Sequence, residues 1–374
     1  MSGSSSPTLP SDATVAPEAL ARALLGCVGL LALVGLAVAA SASPPGEAWA
    51  GMTLHLVHLG LGLAAFLVAW HLPPERLRQL AWPASWALAA LLAVLLFGGW
   101  LHATNQAARW IRIGPMSFQP SLLLQFLWPV ALASWVARDP LRLRQPRALG
   151  RLALRFGLLT LPVLLQPDLG SVVILLFVGG VTLMFSGAPI RLLQVSVLLF
   201  VVLLAVASAL FPHVGSRLDW WQHPSEQVER GVETLSSAGP LGRGPGLGVM
   251  KFGHVPEGRT DFVLTLVGEE WGLPGTLFVW SLFLAFTFLG LALARRARSR
   301  YGVVLMVAAT VMIAFQAAYN LAMVVGMLPV KGLPLPFVSR GGSSLLALSA
   351  LLGAALRAAL DARRARPPLP GLLP

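Results

Sequence analysis

The chain alternates long apolar stretches with short polar ones from one end to the other. Apolar stretches of roughly 20 residues, the length that a helix needs to cross the hydrocarbon core of a membrane, occur at ten places. They centre on residues 21–42, 51–71, 80–101, 121–137, 152–167, 170–188, 191–211, 272–294, 302–328 and 342–360. This pattern predicts an all-α polytopic membrane protein with about ten transmembrane helices.

Two connections differ from the short polar loops elsewhere. Only QPDLG separates the fifth apolar stretch from the sixth, so the chain must turn tightly around Asp168 or break its helix within the membrane. The longest polar segment, residues 212–263, follows the seventh stretch. It predicts a large loop between helices 7 and 8.

Basic residues set the orientation, because cytoplasmic loops near membrane helices carry an excess of Arg and Lys. With a cytoplasmic N-terminus, 18 of the 27 Lys and Arg residues fall on the cytoplasmic side. Both termini are then cytoplasmic, and the loop 212–263 is extracytoplasmic. We expect a disordered tail over residues 1–17, a transmembrane domain over 18–362 and a second cytoplasmic tail over 363–374.

Composition narrows the class of protein. The chain has 56% hydrophobic and 11% charged residues, whereas soluble domains have about 25% charged residues. The net charge of +12 reflects topology and attraction to anionic lipid, and it does not indicate nucleic acid. A single cysteine, Cys27, excludes a disulfide framework within the chain. No P-loop or dinucleotide fingerprint is present, which argues against an ATP-driven pump.

The predicted outer segments carry an unusual set of cations. Arg109 and Arg112 flank Trp110, which suits either a pyrophosphate head group or an ordinary interfacial belt. The only two lysines, Lys251 and Lys331, both lie in outer segments rich in Gly and Pro. Because Lys is a compact point charge, these positions are candidates for binding phosphate.

Two histidines, His55 and His58, sit one turn apart in the second predicted helix. They could share a ligand, although a packed or interfacial pair is the favoured interpretation because no carboxylate lies nearby in sequence to complete a metal site.

Four carboxylates lie at or within apolar segments, where an ionisable group is costly and marks a candidate functional site. Asp168 precedes Gly170 by two residues at the start of a predicted helix, which favours a capping role. For Glu269 and Glu270, the favoured interpretation is a buried ion pair or a role in positioning the helix. Asp261 opens a helix on the outer face after a cationic, Gly-rich approach. Two interpretations of Asp261 stay open: a catalytic role, and capping of the N-terminus of that helix.

Four motifs together resemble the SEDS family of FtsW, RodA and SpoVE, the polytopic peptidoglycan polymerases of bacterial division, elongation and sporulation. They are RWIRIGPMSFQPS, LLQPDLGSVVIL, HVPEGRTDFVLTLVGEEWG and GMLPVKGLPLPFVSRGGSSLL. They occur in the family's order, and the resemblance covers about residues 20–360. An FtsW-like sequence is favoured over a RodA-like one.

The resemblance implies a glycosyltransferase that polymerises lipid II, a disaccharide-pentapeptide on undecaprenyl pyrophosphate. It would act at the outer face of the bacterial cytoplasmic membrane. The family's essential aspartate falls on Asp261, as general base toward the acceptor 4-hydroxyl or as ligand of a divalent cation such as Mg or Mn. Implied substrate contacts are Arg109, Arg112, Lys251, Arg259, Lys331, Ser339 and Arg340. Implied supporting residues are Gln119, Asp168, Glu257, Glu269 and Glu270.

The resemblance also implies partners. A class B penicillin-binding protein would supply transpeptidase activity, and other membrane proteins of the division or elongation complex would join it. Nucleic acid is not expected.

Three positions depart from the family pattern. Leu122 and Gln125 stand where the family usually has a glutamate and a lysine, so a membrane-embedded acid–base pair is missing. Arg340 replaces the tyrosine of SYGGSS. Two other functions therefore stay open beside the polymerase: a lipid II flippase, and a catalytically silent scaffold that recruits the transpeptidase.

Overall fold

The computed structural model describes most of the chain. The described residues are 16–42, 48–97, 110–113, 116–166, 168–191, 194–195, 197–198, 201–202, 225–249 and 260–361. The helices are α1 (Pro17–Ser41), α2 (Ala48–His71), α3 (Pro74–Phe97), α4 (Leu124–Arg138), α5 (Pro146–Leu165), α6 (Leu169–Phe185), α7 (Glu226–Ala238), α8 (Val263–Arg296), α9 (Arg300–Val324) and α10 (Gly342–Leu360). Two short 3-10 helices span Pro120–Leu123 and Pro140–Arg144.

The prediction of an all-α polytopic membrane protein is confirmed. Within the described residues, eight helices are long and apolar enough to cross a membrane, and α6 is apolar but shorter. The predicted span 191–211 lies largely outside the described residues, so the total of ten spans stays a prediction. The predicted loop 212–263 contains a helix that the hydropathy pattern does not reveal, α7, which packs on α8.

Helices α9 and α10 form the centre of the bundle. Of the residues in the most apolar 18-residue stretch of each helix, about 72% are buried in α9 and 83% in α10, against 17% in α2. Helix α9 contacts α4, α6, α8 and α10, while α2 packs mainly on α10 and α1. The leucines and valines that α2 and α3 expose are therefore the side chains that would face lipid.

Hydrogen bonds show which helix ends lie together. The Gln119 backbone N–H donates to Ser343 Oγ (3.0 Å), which joins the start of α4 to the start of α10. The Gln119 side chain also donates to Asp168 at the start of α6. At the other end of the bundle, Ser299 Oγ donates to the Ala358 carbonyl (3.4 Å). We call the first end, where α4, α6, α8 and α10 begin, the Asp261 end.

A small β-hairpin precedes α4 and was not predicted from the sequence. Strands β1 (Ile111–Ile113) and β2 (Met116–Phe118) pair antiparallel, with Ile111 opposite Phe118 and Ile113 opposite Met116. The sequence does carry its signal, because IRI and MSF alternate apolar and polar residues around a two-residue Gly-Pro connection.

Helix α8 is broken at Gly272, whose φ of 65° and ψ of −157° are not helical. The predicted span 272–294 corresponds to the part after this break. The segment 239–249 docks against it: Leu273 N–H donates to the Pro240 carbonyl (2.9 Å), and Gly244 N–H donates to the Glu270 carbonyl (2.9 Å). The loop thus occupies backbone groups that the break releases from the helical ladder.

We predict that Gly272→Ala destabilises the protein by ~2–4 kcal/mol. Its backbone conformation is nearly exclusive to glycine, and an added Cβ would lie 2.4 Å from the Leu241 carbonyl carbon. Thermal unfolding in detergent should show a clear fall in midpoint. Gly150→Ala, in α5 with open space around its Cβ position, is the matched control. Equal midpoints for the two variants would contradict the assigned role of the break.

Candidate functional site

Asp261 lies directly before helix α8. The helix begins at Val263 with Phe262 as its N-cap residue, so Asp261 is not the N-cap. Phe262 is fully buried and anchors this end of the helix in the core, while Asp261 is half-buried. One carboxylate oxygen of Asp261 lies 3.1 Å from the position that a Cβ on Gly332 would occupy. The carboxylate therefore rests on the backbone of the segment that follows α9.

Asn320 fixes this arrangement. It is buried in α9, and its Nδ2 donates to the backbone carbonyls of Asp261 and Leu333, both at 2.7 Å. One side-chain amide thus joins the start of α8 to the segment 331–341. Sequence reasoning missed Asn320, although a polar residue inside an apolar span is a signal for such a role.

The side chain of Lys331 extends from the segment after α9 toward α6. Its stem crosses the helix at Gly170: a Cβ on Gly170 would lie 2.0 Å from Lys331 Cδ and 2.7 Å from Nζ. Only glycine leaves room for this crossing. The backbone N–H of Lys331 also contacts Met323 Sδ at 3.3 Å, which holds the start of the segment on α9.

Asp168 is the N-cap of α6, and its predicted capping role is confirmed. It is buried, and its carboxylate accepts from the Ser171 N–H (3.2 Å), from Ser171 Oγ (2.6 Å) and from Gln119 Nε2 (3.2 Å). Its position two residues before Gly170 places it beside the Lys331 crossing. Gln119 and Asp168 therefore support this region through hydrogen bonds.

These contacts define the Asp261 cluster, which consists of Asp261, Lys331, Gly332, Gly170 and Asp168. Its residues come from three separate motifs, joined at one end of the bundle. It combines a half-buried carboxylate, an ammonium group and exposed backbone at Gly332. A carboxylate can accept a proton, and an ammonium can stabilise a phosphate oxyanion.

Glu269 and Glu270 lie apart from this cluster and bind the loop 239–249. Glu269 is fully buried, accepts from the Val249 N–H (2.7 Å) and forms an ion pair with Arg243 Nε (3.6 Å). Glu270 accepts from the Gly246 N–H (3.0 Å) and from Ser41 Oγ on α1. The ion pair and the positioning contacts expected of these glutamates are both present.

Ser339 and Arg340 lie at the far end of the segment 331–341. Ser339 is buried, and its Oγ accepts from the Leu335 N–H (2.8 Å), so it stabilises its own turn. Phe337 in that turn has a positive φ of 64°. Arg340 Nη2 donates to the Ala39 carbonyl of α1 (2.6 Å). These contacts point Arg340 toward α1, whereas Lys331 points toward α6.

The remaining predicted site residues are four substrate contacts and one supporting residue, Glu257. Arg109, Lys251, Glu257 and Arg259 lie outside the described residues, as does the side chain of Arg112 in β1. Their roles stay predictions.

The sequence and the fold both relate this chain to known proteins. Residues 18–364 match the FtsW, RodA and SpoVE family model, described as "Cell cycle protein". The chain is a member of the FtsW/RodA/SpoVE family. A protein of Tolumonas auensis named "Probable peptidoglycan glycosyltransferase FtsW" is 35% identical over 93% of this chain and 94% of its own length. One of the same name from Caulobacter vibrioides is 31% identical over 90% of this chain and 88% of its own.

Two solved structures have the same fold. The crystal structure of Thermus thermophilus rod shape determining protein RodA is 28% identical, with a TM-score of 0.67 over 89% of this chain and 94% of that one. A chain from a study of polymerization and crosslinking by a peptidoglycan synthase complex is 29% identical, with a TM-score of 0.74 over 89% and 95%.

Two of the three departures from the family pattern, Leu122 and Gln125, are buried. Leu122 lies in the 3-10 turn before α4, and Gln125 lies in its first turn. Within the described part of the chain, neither amide atom of Gln125 has a hydrogen-bond partner. The structure thus keeps a polar group where family members usually have a lysine, without the carboxylate that would accompany it.

We predict that Asn320→Ala destabilises the chain by ~2–3 kcal/mol, because it removes one donor group that serves two backbone carbonyls, of which that of Leu333 is buried. The loss should appear as a lower thermal midpoint and as faster hydrogen exchange within residues 331–335. Ser281→Ala removes only an exposed hydroxyl that bonds within its own helix, so it should change stability by less than ~0.5 kcal/mol. Similar exchange of the 331–335 segment in the two variants would refute the role given to Asn320.

Proposed function

We propose that this chain is a peptidoglycan glycosyltransferase that polymerises lipid II, in an FtsW-like division role. The observation that supports it most is the Asp261 cluster, in which the Asp261 carboxylate lies against Gly332 and the side chain of the preceding residue, Lys331, crosses α6 at Gly170. Family membership and the naming of relatives as peptidoglycan glycosyltransferase FtsW support the same activity.

The chemistry follows from the groups present. The acceptor 4-hydroxyl attacks the anomeric carbon of the donor sugar while the bond from that carbon to the pyrophosphate breaks. The hydroxyl proton passes to the Asp261 carboxylate, and the bonding electron pair leaves with the pyrophosphate. Lys331 stabilises the charge that develops on that leaving group. Arg109, Arg112, Lys251 and Arg259 are proposed as further contacts to the pyrophosphate or the sugar-peptide.

A divalent cation such as Mg or Mn fits this site only in part. Among the described residues, no group of three His, Cys, Asp or Glu side chains is placed to hold a metal ion. Asp261 would be its ligand from the described part of the chain, and the substrate phosphates would supply others, which is a common arrangement for Mg²⁺. Such an ion would neutralise charge on the pyrophosphate.

The proposed location is the bacterial cytoplasmic membrane, with the Asp261 end facing outward. The excess of Arg and Lys in the loops assigned to the cytoplasm supports this orientation. A class B penicillin-binding protein is the proposed partner, since a related chain belongs to a complex that couples polymerization and crosslinking. Other membrane proteins of the division complex are proposed to join it.

We predict that Asp261→Asn lowers polymerisation of lipid II at least ~100-fold, because it removes the general base with almost no change in shape. The measurement is glycan strand formation by the purified protein with its class B partner. Asp139→Asn, at the opposite end of the bundle, is the control and should stay within ~2-fold of the unchanged protein.

Two results would count against the polymerase. Equal activity of Asp261→Asn and the unchanged protein would remove Asp261 from catalysis. No strands from folded, unchanged protein with partner and divalent ions present would favour the scaffold, or the flippase if lipid II then crosses vesicle bilayers.

Gly170→Ala tests Lys331 without changing it. The added Cβ would overlap the lysine stem, so the ammonium must move by about 1 Å or more, and activity should fall at least ~10-fold. Gly157→Ala, with open space around its Cβ position in α5, is the control. Unchanged activity of folded Gly170→Ala would show that the position of Lys331 is not critical.

A further inference from the structure

A cavity lined by arginines lies at the end of the bundle opposite to Asp261. Its volume is about 200 Å³, far above the roughly 10–15 Å³ that a single water needs. It therefore has room for a polar group of several atoms. The residues that line it come from the end of α4, the second 3-10 helix and α5, and we call them the basic pocket: Trp135, Arg142, Ala148, Arg151 and Arg155.

The guanidinium groups of the basic pocket can be reached from the surface. Arg151 follows Ala148 by three residues and precedes Arg155 by four, a spacing that places all three on one face of α5. Arg151 and Arg155 are exposed, and the side chain of Arg142 is 40% exposed. Ala148 and Trp135 are buried and form the inner wall.

The arginines of the pocket lack carboxylates to balance them. Like charges four residues apart on a helix repel each other, which applies to Arg151 and Arg155. Asp139 forms an ion pair with Arg142 (Nε to Oδ2, 3.4 Å) and also interacts electrostatically with Arg300. Among the described residues, no carboxylate forms an ion pair with Arg151 or Arg155. The pocket therefore carries a net positive charge, which favours an anionic ligand.

Arg155 places the pocket beside lipid. It lies nine residues after the start of α5, about 14 Å along the helix at roughly 1.5 Å per residue. Its guanidinium carbon is 5.0 Å from the centre of the Trp82 ring of α3, which holds the side chain against the bundle. Leu154 and Leu158 of α5 are exposed and would face lipid. A charged group among lipid-facing leucines is costly, so an anionic group is expected to reach it there.

We propose that the basic pocket binds the phosphate of an anionic phospholipid. Arginine suits this ligand because its planar N–H fork matches two phosphate oxygens. The exposed leucines of α5 favour a lipid over soluble phosphate, because they offer a surface for the acyl chains. In the orientation proposed above, the lipid comes from the cytoplasmic leaflet, whose anionic lipids favour basic sites between helices. The site does not depend on the polymerase activity, because no residue of the pocket belongs to the Asp261 cluster.

The alternative is a general attraction of all arginines at this end of the bundle for anionic lipid. Arg144 and Arg147 provide the matched control, because both are exposed in the same part of the chain and neither lines the pocket. The double variants Arg151→Gln/Arg155→Gln and Arg144→Gln/Arg147→Gln remove the same charge. A general attraction would weaken equally in both, whereas a built site would weaken only in the first.

The test is lipid binding to the purified full-length chain in a neutral detergent, measured by native mass spectrometry. The probes are phosphatidylglycerol and phosphatidylcholine with the same acyl chains, of which only phosphatidylglycerol has a net charge, and inorganic phosphate as a soluble competitor. Phosphatidylglycerol is expected to bind Arg151→Gln/Arg155→Gln at least ~10-fold more weakly than the control double variant. Phosphatidylcholine should bind both equally.

Three results would overturn the proposal. The first is an equal affinity of the two double variants for phosphatidylglycerol. The second is equal binding of the two lipids to the unchanged chain. The third is displacement of phosphatidylglycerol by an equimolar amount of inorganic phosphate, which would identify soluble phosphate as the ligand.

Ala148→Met tests the cavity without changing any charge. The longer side chain would fill part of the cavity, so phosphatidylglycerol should bind several-fold more weakly than to Ala153→Met, at an exposed position of the same helix. Thermal unfolding without lipid verifies that each variant folds. The two double variants decide alone if Ala148→Met does not fold. Equal affinities of folded Ala148→Met and Ala153→Met would show that the lipid does not occupy the cavity.

Discussion

One buried amide holds the candidate site together. Asn320 donates to the carbonyl that precedes α8 and to the carbonyl of Leu333 in the segment after α9. The Leu333 residue is buried, so the amide satisfies a carbonyl that would otherwise be costly to bury, and it bonds the carbonyl of half-buried Asp261 as well. The carboxylate of Asp261 and the ammonium of Lys331 extend from the two chain segments that this amide joins. Their relative position therefore depends on a residue that takes no part in the proposed chemistry.

A second set of contacts connects the site to the chain outside the bundle. Glu269 and Glu270 hold the loop 239–249 through its backbone N–H groups, and Gly272 breaks the helix where that loop docks. These two glutamates lie in the first turns of α8, the helix that begins directly after Asp261 and Phe262. The loop and the break are therefore both joined to the helix that begins directly after Asp261.

The sequence predicts best what depends on neighbouring residues. Apolar length places the spans, and Asp168 caps α6 because capping is a local hydrogen bond. Contacts across the bundle are different. Nothing in the order of residues places Gly170 beneath Lys331, and the Arg243 pair with Glu269 joins residues far apart in the chain. Arg340 was expected among substrate contacts with Lys331, yet the two side chains extend in different directions because their segment spans from α6 to α1.

The central claim is that Asp261 and Lys331 act on one bound substrate. A structure of the chain with lipid II bound tests it most directly. The mechanism predicts a pyrophosphate oxygen within about 4 Å of Lys331 Nζ, with the adjoining sugar beside the Asp261 carboxylate. A pyrophosphate bound away from Lys331, with Asp261 touching no part of the lipid, would contradict it.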